Sequence, residues 1–99
     1  MQIKYKNKKI EKLCSNASKA EKVYGERVAE KIQMRIDQIK ASDTIDDLIK
    51  YKIGRCHSLT GDRDGQYAMD LVHPLRLIFT VDESSCIQVA QIVEIVDYH

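Results

Sequence analysis

The stretch Tyr67-Ala68-Met69-Asp70-Leu71-Val72-His73-Pro74-Leu75-Arg76-Leu77-Ile78-Phe79-Thr80-Val81 decides the fold. Tyr67, Met69 and Leu71 alternate with Ala68 and Asp70. Leu75, Leu77, Phe79 and Val81 alternate with Arg76, Ile78 and Thr80. A period of two puts one set on a buried face and marks both runs as strands. His73-Pro74 separates them. A proline there cannot donate to a strand ladder, so the dipeptide reads as a turn. Upstream, Thr60-Gly61-Asp62-Arg63-Asp64-Gly65 is another turn, with Asp-Gly as its hairpin signal, after a short strand over Arg55 to Leu59. Downstream, Asp82-Glu83-Ser84-Ser85 reads as a third turn. Ile87 to Val96 then carries apolar residues on both faces, at Ile92-Val93 and Ile95-Val96, which suits a central strand.

The first half has a different period. Ile3 and Tyr5 flank Lys4 and fit a short edge strand. Asn7 fits an N-cap before Ile10, Leu13 and Cys14, spaced i, i+3, i+4. Ser15-Asn16 interrupts the pattern. Ser18 with Glu21 has the capping-box spacing and predicts one longer helix, whose buried stripe is Val28, Ile32, Ile36 and Ile39. Gly25 lies inside that helix at a cost of ~1 kcal/mol relative to alanine. Asp43 or Thr44 caps a short helical piece through Leu48 and Ile49. Helices first and strands afterwards predict an α+β fold: N-terminal helices on one face of a mostly antiparallel sheet of four to five strands.

The composition bounds the class. The chain has 99 residues, 43% hydrophobic and 31% charged. This is ordinary for one globular domain over residues 1–99 and excludes a fibre or a disordered tail. No run approaches the ~18 apolar residues of a membrane span. The first residues, Met1 to Lys6, are not followed by the apolar segment of a secretory signal. The expectation is a cytoplasmic protein without membrane contact. Cys14, Cys56 and Cys86 are odd in number and share no C-x-x-C spacing, so they suggest neither a disulfide framework nor a metal site. The net charge of +1 hides an asymmetry. Residues 1–40 carry 11 Lys/Arg and 5 Asp/Glu, and residues 41–99 carry 5 and 10. A basic half suits an anionic partner, and it also suits an ordinary solvated helix surface.

Three places have side chains suited to chemistry. His57 lies on the first strand of the sheet half. Arg76 lies on the opposite face of its strand from Leu75, Leu77 and Phe79. Asp97-Tyr98-His99 follows the most apolar strand. Each has a plain alternative, as a structural histidine, a snorkelling arginine and a frayed tail. Taken together they suit phosphodiester cleavage by a neighbouring 2′-hydroxyl. His57 and His99 would move protons near neutral pH, and Arg76 would stabilise a dianionic phosphorane. That chemistry calls for no metal and no cofactor.

The order of two basic helices, Arg55-Cys56-His57-Ser58-Leu59-Thr60-Gly61-Asp62-Arg63-Asp64-Gly65, His73-Pro74-Leu75-Arg76-Leu77-Ile78-Phe79 and Asp97-Tyr98-His99 resembles the HigB toxins of the RelE/ParE superfamily. The resemblance covers nearly the whole chain. It implies the toxin of a type II toxin–antitoxin module, an endoribonuclease that enters the ribosomal A site and cuts translated messenger RNA. It implies a HigA-type helix-turn-helix antitoxin as partner. It assigns His57, Asp97, Tyr98 and His99 to the catalytic cluster and Arg76 to the scissile phosphate. A base, Asp97 or His99, would take the 2′-hydroxyl proton, and His57 or His99 would protonate the leaving 5′-oxygen. Arg63, in the Gly-Asp-Arg turn, would be structural or an RNA backbone contact. The stripe Arg27, Lys31 and Arg35, spaced by four, would face RNA phosphates or acidic antitoxin segments. HigB relatives often carry lysine at the position of Thr60. The superfamily also contains ParE, which poisons DNA gyrase by binding. A gyrase-binding toxin, or a protein that binds only its antitoxin, is the alternative.

Overall fold

The computed structural model describes residues 1–97; Tyr98 and His99 lie outside the described residues. Strand β1 (Gln2–Tyr5) is followed by helices α1 (Lys8–Ser15), α2 (Ala17–Tyr24), α3 (Glu26–Ala41) and α4 (Ile45–Lys50). Strands β2 (His57–Ser58), β3 (Tyr67–Asp70), β4 (Leu75–Ser84) and β5 (Ile87–Asp97) complete it. The sheet order is β1-β5-β4-β3-β2. All neighbours are antiparallel except β1, which runs parallel to β5 at the edge. The architecture is α+β, with the apolar central strand predicted for residues 87–96 lying between β1 and β4. Among the described residues no helix is long and apolar enough to cross a membrane.

The helices form where caps and apolar stripes coincide. Asn7 accepts from the Ile10 amide and starts α1. Asn16, rather than Ser18, starts the next helix by accepting from the Lys19 amide. The single long helix predicted from Ser18 is in fact two. Gly25 sits at φ +89°, outside helical space, and ends α2 as it begins α3. A residue with a Cβ adopts that conformation only with strain, so the glycine does more than lower helix propensity. Thr44 caps α4 through the Asp47 amide.

Ile10, Leu13, Ile32, Ile36 and Ile39 pack with Leu77, Phe79 and Ile92 in the main core between helices and sheet. Tyr67 belongs to this side and stacks on Phe79 at 5.8 Å, packed against the core. A second, smaller cluster of Leu59, Ala68 and Ile78, joined by Val93 and Val96, covers the other face.

The strand boundaries depart from the sequence reading in two places. Asp82 to Ser84 remain in β4, and the turn is Ser85-Cys86, both at positive φ (51° and 66°). Those signs belong to a two-residue hairpin loop whose twist matches the strands. The polar residues that suggested a turn are exposed ladder residues. In place of the strand Arg55 to Leu59, only His57 and Ser58 pair with β3. Ile53–Arg55 is a tight 3-10 turn in which Gly54 and Arg55 have positive φ.

One β-bulge explains why residues 87–96 look apolar on both faces. Phe79 pairs with Ile92, but Ile78 pairs with Glu94, so Val93 is an extra residue. Before the bulge the even residues Ala90 and Ile92 face the helices. After it, the odd residue Ile95 does, and Val96 faces away.

Candidate active site

Cross-strand pairs in an antiparallel sheet point to the same face. His57 pairs with Ala68, Ala68 with Ile78 and Ile78 with Glu94. These four form one row on the face turned away from the helices. The next row on that face is Asp70, Arg76 and Val96. His57 and Arg76 therefore share a face, two strands and one row apart. Ideal sheet spacings put their Cα atoms roughly 12 Å apart. Only the methyl group of Ala68 separates His57 from Ile78 in its row. The floor between the two functional side chains is thus low and apolar.

The backbone of the tight turn fixes the imidazole. His57 Nδ1 lies 2.7 Å from the carbonyl oxygen of Arg55. A carbonyl only accepts, so Nδ1 carries the hydrogen and Nε2 is the working nitrogen. Arg55 holds that carbonyl in place at φ 53°, a conformation that costs a side-chain-bearing residue energy and is often kept at functional sites. His57 opens onto a pocket of about 360 Å³ that it lines with Lys52, Arg55 and Cys56. Cys56 itself is buried, and burial pushes its thiol up to about 11. It is a poor nucleophile beside the imidazole.

Asp70 organises the next row. Its Oδ2 accepts from Arg55 Nε at 2.5 Å, and its Oδ1 lies 3.5 Å from Arg76 Nε. Its backbone carbonyl accepts from Arg35 Nε at 2.6 Å. Two guanidinium groups face the carboxylate and a third donates to the backbone carbonyl of the same residue. The acidic residue that would repel a phosphate here is already paired. From the sequence Asp70 reads as a carboxylate that repels phosphate unless it is paired, and its pairing with Arg55 and Arg76 is not named there. The signal was present: a turn centred on His73 pairs Asp70 directly with Arg76, an opposite-charge cross-strand pair.

The other expected site residues are placed as follows. Arg63 Nη1 donates to Gln66 Oε1 at 2.9 Å and pairs with Glu94 Oε1 at 2.6 Å. Its charge is balanced on the same face as His57. The stripe on α3 divides. Arg27 is exposed and Lys31 is half-exposed. Arg35 turns inward, and its Nη1 donates to Gln38 Oε1 at 2.9 Å. Burial pushes the Arg35 pKa down, and neighbouring Asp70 pulls it back. Arg35 thus ties α3 to the end of β3 through Nε and spends Nη1 on its own helix. Asp97 pairs with Leu75, whose row packs toward the helices, so the register gives it the opposite face from Arg76. The expected roles of Tyr98 and His99 fall on residues outside the described part of the chain.

No protein-family model and no curated protein sequence matches the chain. Solved structures do. A YoeB/ParE toxin from Agrobacterium tumefaciens superposes over all of both chains with a TM-score of 0.67 at 16% identity. The YoeB–YefM complex from Staphylococcus aureus gives 0.65 at 20% identity, over all of this chain and 97% of the other. The YoeB dimer from the same organism gives 0.64 at 20% identity, with the same coverage. The sheet that carries His57 and Arg76 on its open face is therefore the sheet of the YoeB/ParE toxin fold.

Proposed function

We propose that this protein is the toxin of a type II toxin–antitoxin module and cleaves messenger RNA in the ribosomal A site. The observation that carries the reading is the pairing of a backbone-anchored His57 with Arg76 on the open sheet face of a toxin fold. The anchored Nε2 suits proton transfer, and a guanidinium suits a phosphate that gains charge in the transition state. In the proposed reaction the 2′-oxygen attacks phosphorus and the bond to the 5′-oxygen breaks. The products are a 2′,3′-cyclic phosphate and a 5′-hydroxyl. His57 and His99 divide the base and acid roles, and Tyr98 belongs to the same cluster. The assignment of Tyr98 and His99 rests on the resemblance to HigB. Asp97 is the alternative base to His99; it pairs with Leu75, one residue beyond the Val96 that pairs with Arg76.

Within the RelE/ParE superfamily, the Arg55–Gly65 and His73–Phe79 motifs favour a HigB-type toxin. The structural neighbours are YoeB and ParE proteins. One was solved as a complex of YoeB with YefM, which supports a dedicated protein partner here. The sequence resemblance makes that partner a HigA-type helix-turn-helix antitoxin. Lys31, Arg27 and the lysines of α1 then serve ribosomal RNA or the antitoxin.

The test is induced expression in bacteria, wild type beside His57→Ala, with primer extension on an abundant messenger. Growth arrest with new cuts in translated regions, absent from the variant, is the expected result. Arrest without cuts refutes the ribonuclease and points to a bound target such as gyrase. No arrest leaves a protein that binds only its antitoxin.

A further inference from the structure

We propose that Arg55 and His73 form a second phosphate subsite, beside Arg76, which holds the RNA backbone phosphate adjacent to the one that Arg76 meets. This proposal rests on the ribonuclease reading for the identity of its ligand.

A small pocket of about 100 Å³ opens where the β3–β4 hairpin turns, and Arg55, Asp70, His73 and Arg76 line it. Its volume is several times the ~10–15 Å³ that one water occupies in such a cavity, room for one phosphate group. Its charge favours an anion. Asp70 is the single carboxylate among those four, set against two guanidinium groups with a third on its backbone carbonyl. Asp70 Oδ1 is sealed from solvent, so the carboxylate does not offer that oxygen to an incoming ligand. Arg55 spends Nε on Asp70, and its Nη hydrogens have no partner among the described residues. Its side chain is 68% exposed. Asp70 thus orients the guanidinium without exhausting its five donors, the condition for a forked contact to a phosphate. His73 is exposed and makes no hydrogen bond among the described residues, so its ring is available at the rim.

Arg55 also lines the pocket that holds His57. One arginine therefore borders both pockets. A ligand filling both must carry anionic groups in succession, which selects a polynucleotide over a mononucleotide.

The experiment measures binding of a 2′-O-methyl hexanucleotide, which cannot be cut, to the purified protein by fluorescence anisotropy across a salt series. Arg55→Gln and His73→Ala are each expected to weaken binding about three- to tenfold. Arg55→Gln also flattens the salt dependence by about 0.7, the value for one lost contact on a single strand. Lys19→Ala, on the exposed surface of α2, changes neither beyond experimental error. His73 makes no hydrogen bond among the described residues, so its variant remains informative if Arg55→Gln unfolds. Wild-type affinity in folded His73→Ala and wild-type affinity and slope in folded Arg55→Gln overturn the subsite. If the variants lose affinity but cells show no His57-dependent cuts, the subsite stands and the ribonuclease reading falls. If cuts appear and the variants bind like wild type, only the subsite falls.

Discussion

Arg35→Met separates two opposed readings of one residue. By spacing alone Arg35 completes a basic stripe with Arg27 and Lys31 and would contact RNA. In the structure its Nε donates to the Asp70 carbonyl at 2.6 Å, and its Nη1 to Gln38. The methionine keeps the apolar stem and removes the donors. A hydrogen bond from a charged donor contributes ~1.5–3 kcal/mol, so a loss of about 2 kcal/mol is expected. An unfolding entropy of ~2.1 cal/mol/K per residue gives about 0.2 kcal/mol/K for this chain, hence a fall in Tm of roughly 10 °C. Arg27→Met, at an exposed position, should stay within ~0.5 kcal/mol of wild type. The assay is thermal unfolding by circular dichroism, paired with the salt dependence of oligonucleotide binding. A Tm within about 2 °C of wild type, with a salt slope reduced by one phosphate contact, would refute the structural assignment.

Gly54→Ala should be destabilising on two counts. The residue sits at φ +58°, and an added Cβ would lie 2.7 Å from Arg35 Nε. In an Arg35→Ala background the contact disappears and only the backbone strain, ~1 kcal/mol, remains. A double-mutant cycle by denaturant unfolding should then show a coupling of at least ~0.5 kcal/mol, and strict additivity would show that the two groups do not touch. Native thiol labelling read by mass spectrometry should add one label, at exposed Cys86, while Cys14 and Cys56 stay protected until unfolding. Burial pushes Cys14 up to about 12 and Cys56 up to about 11. Both values are raised in the folded state, so the stability they confer is complete below the unfolded thiol range near 9 and is lost as pH rises through 11 to 12. Each thiol sets a downward slope of at most ~1.4 kcal/mol per pH unit there. Cys14→Ala should flatten that alkaline decline, and an unchanged slope would contradict the assignment.

The sheet was legible because its period of two is enforced by burial. Leu75, Leu77 and Phe79 must face one way for the core to close, and a slip of one residue would expose all of them. The helical stripe Val28, Ile32, Ile36 and Ile39 was legible for the same reason. The boundaries were less so. Asn16 and Ser18 both fit an N-cap, and only the formed turn decides which side chain reaches an amide. Asp82 to Ser84 have turn composition, but ladder hydrogen bonds and the geometry at Ser85-Cys86 outweigh composition when the neighbouring strand is long enough to pair. Val93 does not read as a bulge, since the doublet Ile92-Val93 fits a strand buried on both faces equally well.

The site was legible as residue types but not as partnerships. His57 and Arg76 stood out because chemistry needs an imidazole and a cation, and the sheet does place them on one face. What fixes them is less visible in the sequence. His57 is oriented by the carbonyl of Arg55, a backbone atom that every residue carries, and only the left-handed turn around Gly54 aims it. Asp70 looks like an acidic residue hostile to RNA, yet it orients Arg55 and lies against Arg76. Arg35 looks like one more cation on a regular stripe. Spacing by four establishes that three side chains leave a helix in similar directions. It does not establish that they meet the same surroundings, because the end of β3 lies beside the last of them and beside neither of the others. A charge on such a stripe joins the fold wherever a carbonyl lies within reach and remains available to a ligand elsewhere. Arg35 and Arg55 show both outcomes around one aspartate: the first is tied to its backbone and half-buried, and the second is held through one nitrogen and exposed.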